Sequence, residues 1–148
     1  MVAISPPPAN HKWGTLSFVS TLYLRPILDL LLLEVPTTWQ AEVRLGLQEA
    51  LVNAAKHGNN LDPSKKVSVQ FSAFGDYHWW IIADQGSGFK HPYQCEETLH
   101  GCTYHAGECG RGLYILYQVF DEVQWVRDGR ELHLCKKVRR RSRLPLIS

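Results

Sequence analysis

Glu49 and Asn53 stand four residues apart in the run Glu49-Ala-Leu-Val-Asn53-Ala-Ala-Lys56-His57-Gly58-Asn59. On a helix that spacing puts a carboxylate and a carboxamide on one face. An amide oxygen suits magnesium, which wants oxygen donors and keeps several of its waters. A neighbouring carboxylate can orient or deprotonate an attacking hydroxyl or water. A second cluster, Asp84-Gln-Gly86-Ser-Gly88-Phe89, follows an apolar, aromatic run. Its carboxylate can accept a hydrogen bond from the exocyclic amino group of adenine, which guanine lacks at that position. Its glycines let the backbone pass close to a flat ligand. A third, Gly110-Arg111-Gly112-Leu113, opens another apolar segment. A helix start there offers unpaired amides and a positive dipole end to phosphate, and the Arg111 guanidinium can reach a terminal phosphate or a partner's carboxylate. Taken singly, the three also read as a solvated helix face, a turn after a strand, and a loop before a core helix. In this order and together they describe a site for a nucleoside triphosphate.

The elements that must position these groups follow from patterning. A helix is expected from about residue 39 to residue 57, capped by Thr37 or Thr38 and ending at Gly58-Asn59-Asn60. Val43, Leu47, Ala50 and Ala54 form its core-facing stripe, with the Glu49/Asn53 pair well to one side. Residues 22–34 are Leu-rich, with Pro26 in the first turn of a helix that Pro36 closes. Residues 15–20 read as a strand, and 65–73 and 77–83 as a hairpin turning at Gly75-Asp76. Residues 90–109 are irregular, 113–120 helical, and 122–127 with 131–136 a second hairpin turning at Asp128-Gly129. Alternation sends Trp79 and Trp80 to opposite faces of their strand, one to the core and the other to a partner surface.

Bulk properties bound the answer. A chain of 148 residues is the length of one domain, which we place at residues 13–138 between a Pro-rich arm, 1–12, and a basic tail, 139–148. A formal charge of +2 asks for neither nucleic acid nor an acidic membrane. The N-terminus lacks a basic region followed by an apolar run. The most lipid-like stretch, residues 22–35, is broken by Arg25, Pro26, Asp29 and Glu34, short of the ~20 apolar residues a span needs. Four cysteines do not form a disulfide scaffold. A cytoplasmic protein is expected. Cys95, Cys102 and Cys109, with His91, His100 and His105 interleaved, do not have the spacing of a zinc ribbon or finger.

The three clusters resemble, in order and spacing, those of the ATPase domain shared by sensor histidine kinases, gyrase-type ATPases and related chaperones. They are most similar to its smallest branch, the anti-sigma factor serine/threonine protein kinases of bacterial partner switching. Glu49-x-x-x-Asn53 with Lys56-His57-Gly58 matches the family's first box, Asp84-x-Gly86-x-Gly88-Phe89 its adenine box, and Gly110-Arg111-Gly112-Leu113 its second glycine box. The resemblance covers residues 18–136. It implies an α+β fold, the two-layer sandwich of the histidine-kinase-like (Bergerat) type, with three helices over one face of a mixed, mostly antiparallel sheet. It implies ATP and Mg2+ as cofactors, Asn53 as the magnesium ligand, Glu49 as catalytic base and Asp84 as the adenine acceptor. Lys56, His57, Gly86, Gly88, Gly110, Arg111, Gly112 and Leu113 would complete the nucleotide site. The implied chemistry is transfer of the γ-phosphate in trans to a serine or threonine of an anti-sigma-factor antagonist, by a protein that also sequesters a sigma factor or other target. No membrane or direct nucleic-acid partner is implied, and a homodimer is left open. The rival reading is a nucleotide-gated binding module that transfers little phosphate.

Overall fold

The structure, a computed structural model, describes residues 12–87 and 108–138, and of residues 108–111 the backbone only. Five strands, β1 (Gly14–Val19), β2 (Lys66–Phe74), β3 (Tyr77–Ala83), β4 (Glu122–Val126) and β5 (Glu131–Lys137), form one sheet in the order β1-β2-β3-β5-β4. All four pairings are antiparallel. The described sheet thus stands at the antiparallel end of the mixed, mostly antiparallel expectation. After β3 the chain runs through a helix to the far edge strand β4, and the β4–β5 hairpin then lays β5 against β3.

One face of this sheet is apolar because register stacks like with like. Leu16 lies opposite Val69, Val69 opposite Ile82, and Ile82 opposite Leu132. In the neighbouring row Phe71 lies opposite Trp80 and Trp80 opposite Leu134. Three helices cover that face: α1 (Arg25–Leu31), α2 (Thr37–Val52) and α3 (Glu108–Val119). They contribute Leu28 and Leu31, Val43, Leu47, Ala50 and Leu51, and Leu116 and Val119 to the core. The Phe120 ring meets Trp80 edge-on at 5.7 Å, a favoured aromatic geometry. The expected stripe Val43, Leu47, Ala50 and Ala54 is buried in full. Trp80 is the core member of the tryptophan pair, and Trp79, on the other face, is also buried.

Several boundaries differ from expectation for local reasons. Pro36 holds the cap position of α2, and neither threonine makes a capping hydrogen bond. The Trp39 amide instead donates to Pro36 O at 2.8 Å, and the Gln40 side chain donates to Val35 O at 2.9 Å. The helix does run on past Val52, but as a wider π-helical turn, Asn53–Gly58. It ends where Asn60 and Leu61 take left-handed φ of 53° and 56°. Gly58 is therefore not the left-handed terminator that its position suggested. The Gly75-Asp76 turn is as expected, with Gly75 at φ 61°. The second hairpin turns about Asp128-Gly129 as read, but through a four-residue loop, 127–130, in which Arg127, Asp128 and Gly129 all have positive φ.

Candidate nucleotide site

Glu49 lies in the last turns of α2 and Asn53 opens the π-helical turn, both half-buried. Gly112 of α3 comes against them. A Cβ placed on Gly112 would stand 3.3 Å from Glu49 Oε2 and 3.8 Å from both polar atoms of the Asn53 amide. Any side chain there would thus crowd the carboxylate and carboxamide, and glycine leaves the space open. A second close approach lets α3 reach this position: a Cβ on Gly46 of α2 would lie 2.6 Å from the Phe120 ring. The first and third clusters, some sixty residues apart in sequence, therefore form one wall.

The second cluster meets the first from the sheet side. Asp84 directly follows β3, its amide donating to Arg130 O at 2.9 Å. Its Oδ1 accepts from the Gly86 amide at 2.8 Å. Burial raises its pKa above the ordinary aspartate value, opposed by the Gly86 hydrogen bond and by the charges of Arg130 and Lys65. A Cβ on Gly58 would collide with the Asp84 carboxylate, and one on Gly86 would collide with the Gly58 carbonyl. The two glycines let the helix end and the strand end touch backbone to backbone.

Beside these contacts lies a small open cleft lined by Ala50, Asn53, Ala54, Ile82, Asp84, Trp125, Gly129, Arg130 and Leu132. Its lining is apolar apart from Asn53, Asp84 and the exposed Arg130. That is the chemistry of a base pocket: flat apolar walls and one acceptor to choose the base. The donor set fits an adenine nucleotide, and the Asn53 oxygen is of the type that could hold a magnesium otherwise coordinated by phosphates and water. Among the described residues no cluster of three or more His, Cys, Asp or Glu could hold a metal by itself.

Other expected site residues fall differently. Lys56 and His57 are exposed on the π-helical turn, engaged in local contacts, and do not line the cleft. Leu113 is half-buried and packs on the core. The third cluster was expected to open its helix, but α3 begins at Glu108, so Gly110–Gly112 lie inside its first turns. The four amides unpaired in a helix starting there are those of residues 108–111, and Gly112 contributes space rather than a free donor. Gly88, Phe89, the Cys/His-rich segment through residue 107, and the side chains of Cys109 and Arg111 lie outside the described residues. Trp125, Gly129 and Arg130 were not anticipated. The one sequence signal for them was the Asp128-Gly129 turn, and the antiparallel pairing of β3 with β5 carries Arg130 O to the Asp84 amide.

Comparison with known proteins agrees with this geometry. Residues 28–136 match the histidine kinase-like ATPase domain. The chain belongs to that family, whose nucleotide is ATP. Among individual proteins it is similar to the serine-protein kinase RsbW of Bacillus licheniformis, 33% identical over 91 residues covering 56% of this chain and 54% of that protein. The RsbW of Bacillus velezensis is 32% identical over 91 residues, with the same coverage of 56% and 54%. That of Bacillus subtilis is 30% identical over 91 residues, again 56% of this chain and 54% of the relative. The chain thus spans about half the length of these relatives. No helix among the described residues is long and apolar enough to cross a membrane.

Proposed function

We propose that this chain is an ATP-dependent serine/threonine protein kinase of a partner-switching system, with residues 13–138 as its catalytic domain. The observation that carries the reading is the convergence of Asn53 and Asp84 on a single apolar cleft, with Glu49 and Gly112 packed beside Asn53. In this reading Asp84 accepts from the adenine amino group, and burial of its carboxylate sharpens the choice of base. The Asn53 oxygen would hold Mg2+, and ATP would supply the γ-phosphoryl group. Glu49, close beside Asn53, would take the proton of an incoming serine or threonine hydroxyl. The first turns of α3, with Gly112 beside Glu49 and Asn53, would face the phosphates.

The phosphoacceptor in this reading is an antagonist protein, and the unmodified antagonist releases a sigma factor or other target that the kinase sequesters. The serine-protein kinase relatives support the reaction class. Incubating the protein with γ-labelled ATP, Mg2+ and candidate antagonists tests it. Label should appear on a serine or threonine of the antagonist and be lost with Glu49→Gln. Nucleotide binding with no transfer to any antagonist would refute the kinase and leave a nucleotide-gated binding module.

A further inference from the structure

Asn59 closes the first cluster, and no role in the nucleotide site attaches to it from sequence. It is nonetheless the most buried polar side chain among the described residues, with 0% of its surface exposed. Its Oδ1 accepts from the Gln85 amide at 2.7 Å. Its Nδ2 donates to Lys66 O at 3.0 Å and to Ser20 Oγ at 2.8 Å. The ring closes through Gln85, whose Oε1 accepts from the Lys66 amide at 2.7 Å. Asn59, Gln85 and Lys66 are thus joined pairwise, each to both others. Ser20 extends the set outward by donating to Lys65 O at 2.9 Å.

We infer that Asn59 is a positioning residue for base recognition, fixing the Asp84-Gln85-Gly86 turn against the end of the π-helical turn so that the Asp84 carboxylate faces the cleft. This rests on the reading of Asp84 as the adenine acceptor. The Asp84 carboxylate is held at Oδ1 by the Gly86 amide, and Asn59 grips the amide of the intervening Gln85. Without that grip the hydrogen bonds left to the turn from other segments among the described residues are that of the Gln85 side chain with the Lys66 amide and that of the Asp84 amide to Arg130 O. Released turn geometry weakens an acceptor that must meet one amino group at hydrogen-bond distance. In the same pose guanine presents its O6 acceptor where adenine presents its amino group, so the loss falls on adenine.

A buried asparagine with every partner filled also stabilises the fold, so the test must separate holding from positioning. ATP and GTP affinities are measured by calorimetry for the wild type and for Asn59→Ala, Asn59→Asp and Ser20→Ala, each below its own melting temperature. Asn59→Ala should lower the ATP-over-GTP preference by about tenfold, the scale of losing one well-placed hydrogen bond to a charged group. Asn59→Asp keeps the acceptor for the Gln85 amide and should restore the preference to within about twofold, although it melts earlier. Ser20→Ala removes only the outer link; it should lower the melting temperature and leave the preference unchanged. Asn59→Ser, too short to reach Gln85, replaces Asn59→Ala if that variant does not fold. A wild-type preference in Asn59→Ala or Asn59→Ser overturns the inference alone. A wild-type chain with no preference for ATP overturns the adenine site, and this inference with it.

Discussion

Gly58 makes a sharp demand on the site. It sits in the π-helical turn without left-handed φ, so alanine is conformationally permitted there. In a helix that exchange gains up to about 1 kcal/mol. The added Cβ, however, would overlap Oδ2 and Cγ of Asp84. Asp84 has little room to give, since its amide is tied to Arg130 O at 2.9 Å and its Oδ1 to the Gly86 amide at 2.8 Å. Forcing a methyl into such a contact costs about 1–3 kcal/mol. Gly58→Ala should therefore be neutral to about 2 kcal/mol destabilising, and should weaken ATP binding by about 10- to 150-fold as the carboxylate moves. In an Asp84→Ala background the obstacle is gone, and the same exchange should be neutral or stabilising. The coupling across the double-mutant cycle equals the clash, about 1–3 kcal/mol. Urea unfolding of the four proteins measures it, and calorimetry adds ATP affinity, which the double variant should share with Asp84→Ala. Gly86→Ala is the control: its Cβ meets the Gly58 carbonyl, so Asp84→Ala should not relieve it. Additivity of Gly58→Ala and Asp84→Ala within ~0.5 kcal/mol would refute the reasoning.

Three further outcomes are expected. Asp84→Asn should weaken ATP binding by about 1.5–3 kcal/mol in calorimetry. Burial raises the Asp84 pKa, so its ionised form is held at a cost, and at neutral pH the apo variant should melt no lower than wild type. Glu49→Gln should keep ATP affinity while phosphate transfer in single-turnover assays falls by ~10²-fold or more; undiminished transfer would remove Glu49 from the chemistry. His78 is buried, stacked on Trp80, and lies across the strand from Lys136, which is itself paired with Glu42. Desolvation lowers its pKa below 6.5, only partly opposed by Glu34. The unfolded chain then takes the proton first, so stability is full above about pH 6.5 and falls as pH drops through it. Urea midpoints between pH 8 and pH 5.5 should show that slope, and His78→Phe should flatten it.

Elements whose apolar spacing repeats were legible in the sequence. The α2 stripe, the β2–β3 hairpin and the outward-inward split of Trp79 and Trp80 follow from periods of 3.6 and 2. The Asp and Gly clusters were visible because their composition departs from that pattern. What was not legible depends on contacts between distant segments. The π-helical turn has no compositional mark, yet it ends the helix with Gly58 against Asp84 and Asn59 against Gln85. Arg130 was hidden because Asp128-Gly129 suits a two-residue loop, whereas the pairing Val126↔Glu131 leaves a four-residue loop that ends on it. Thr37 and Thr38 carried the right chemistry for a cap and were bypassed, because Pro36 already supplied the carbonyl that the Trp39 amide needs.

The distribution of glycines explains why three weak signals make one strong site. Gly58, Gly86 and Gly112 each stand where a second element approaches, and in each case a Cβ would meet a polar group of the site or a backbone carbonyl. Substituting any of them does not remove a functional atom but displaces one: Asp84 for Gly58, the helix-end carbonyl for Gly86, and Glu49 with Asn53 for Gly112. The margins differ. At Gly112 the nearest atom is 3.3 Å away and ends a flexible glutamate, so an added methyl needs a shift of only a few tenths of an ångström. At Gly58 and Gly86 the obstacles are a short carboxylate tied at both ends and a peptide carbonyl, neither of which can yield without moving an element. The Asp84 side of the site is therefore the rigid side and the side toward Glu49 the adjustable one. That asymmetry suits the proposed kinase, which would hold one base while admitting a hydroxyl from a separate chain.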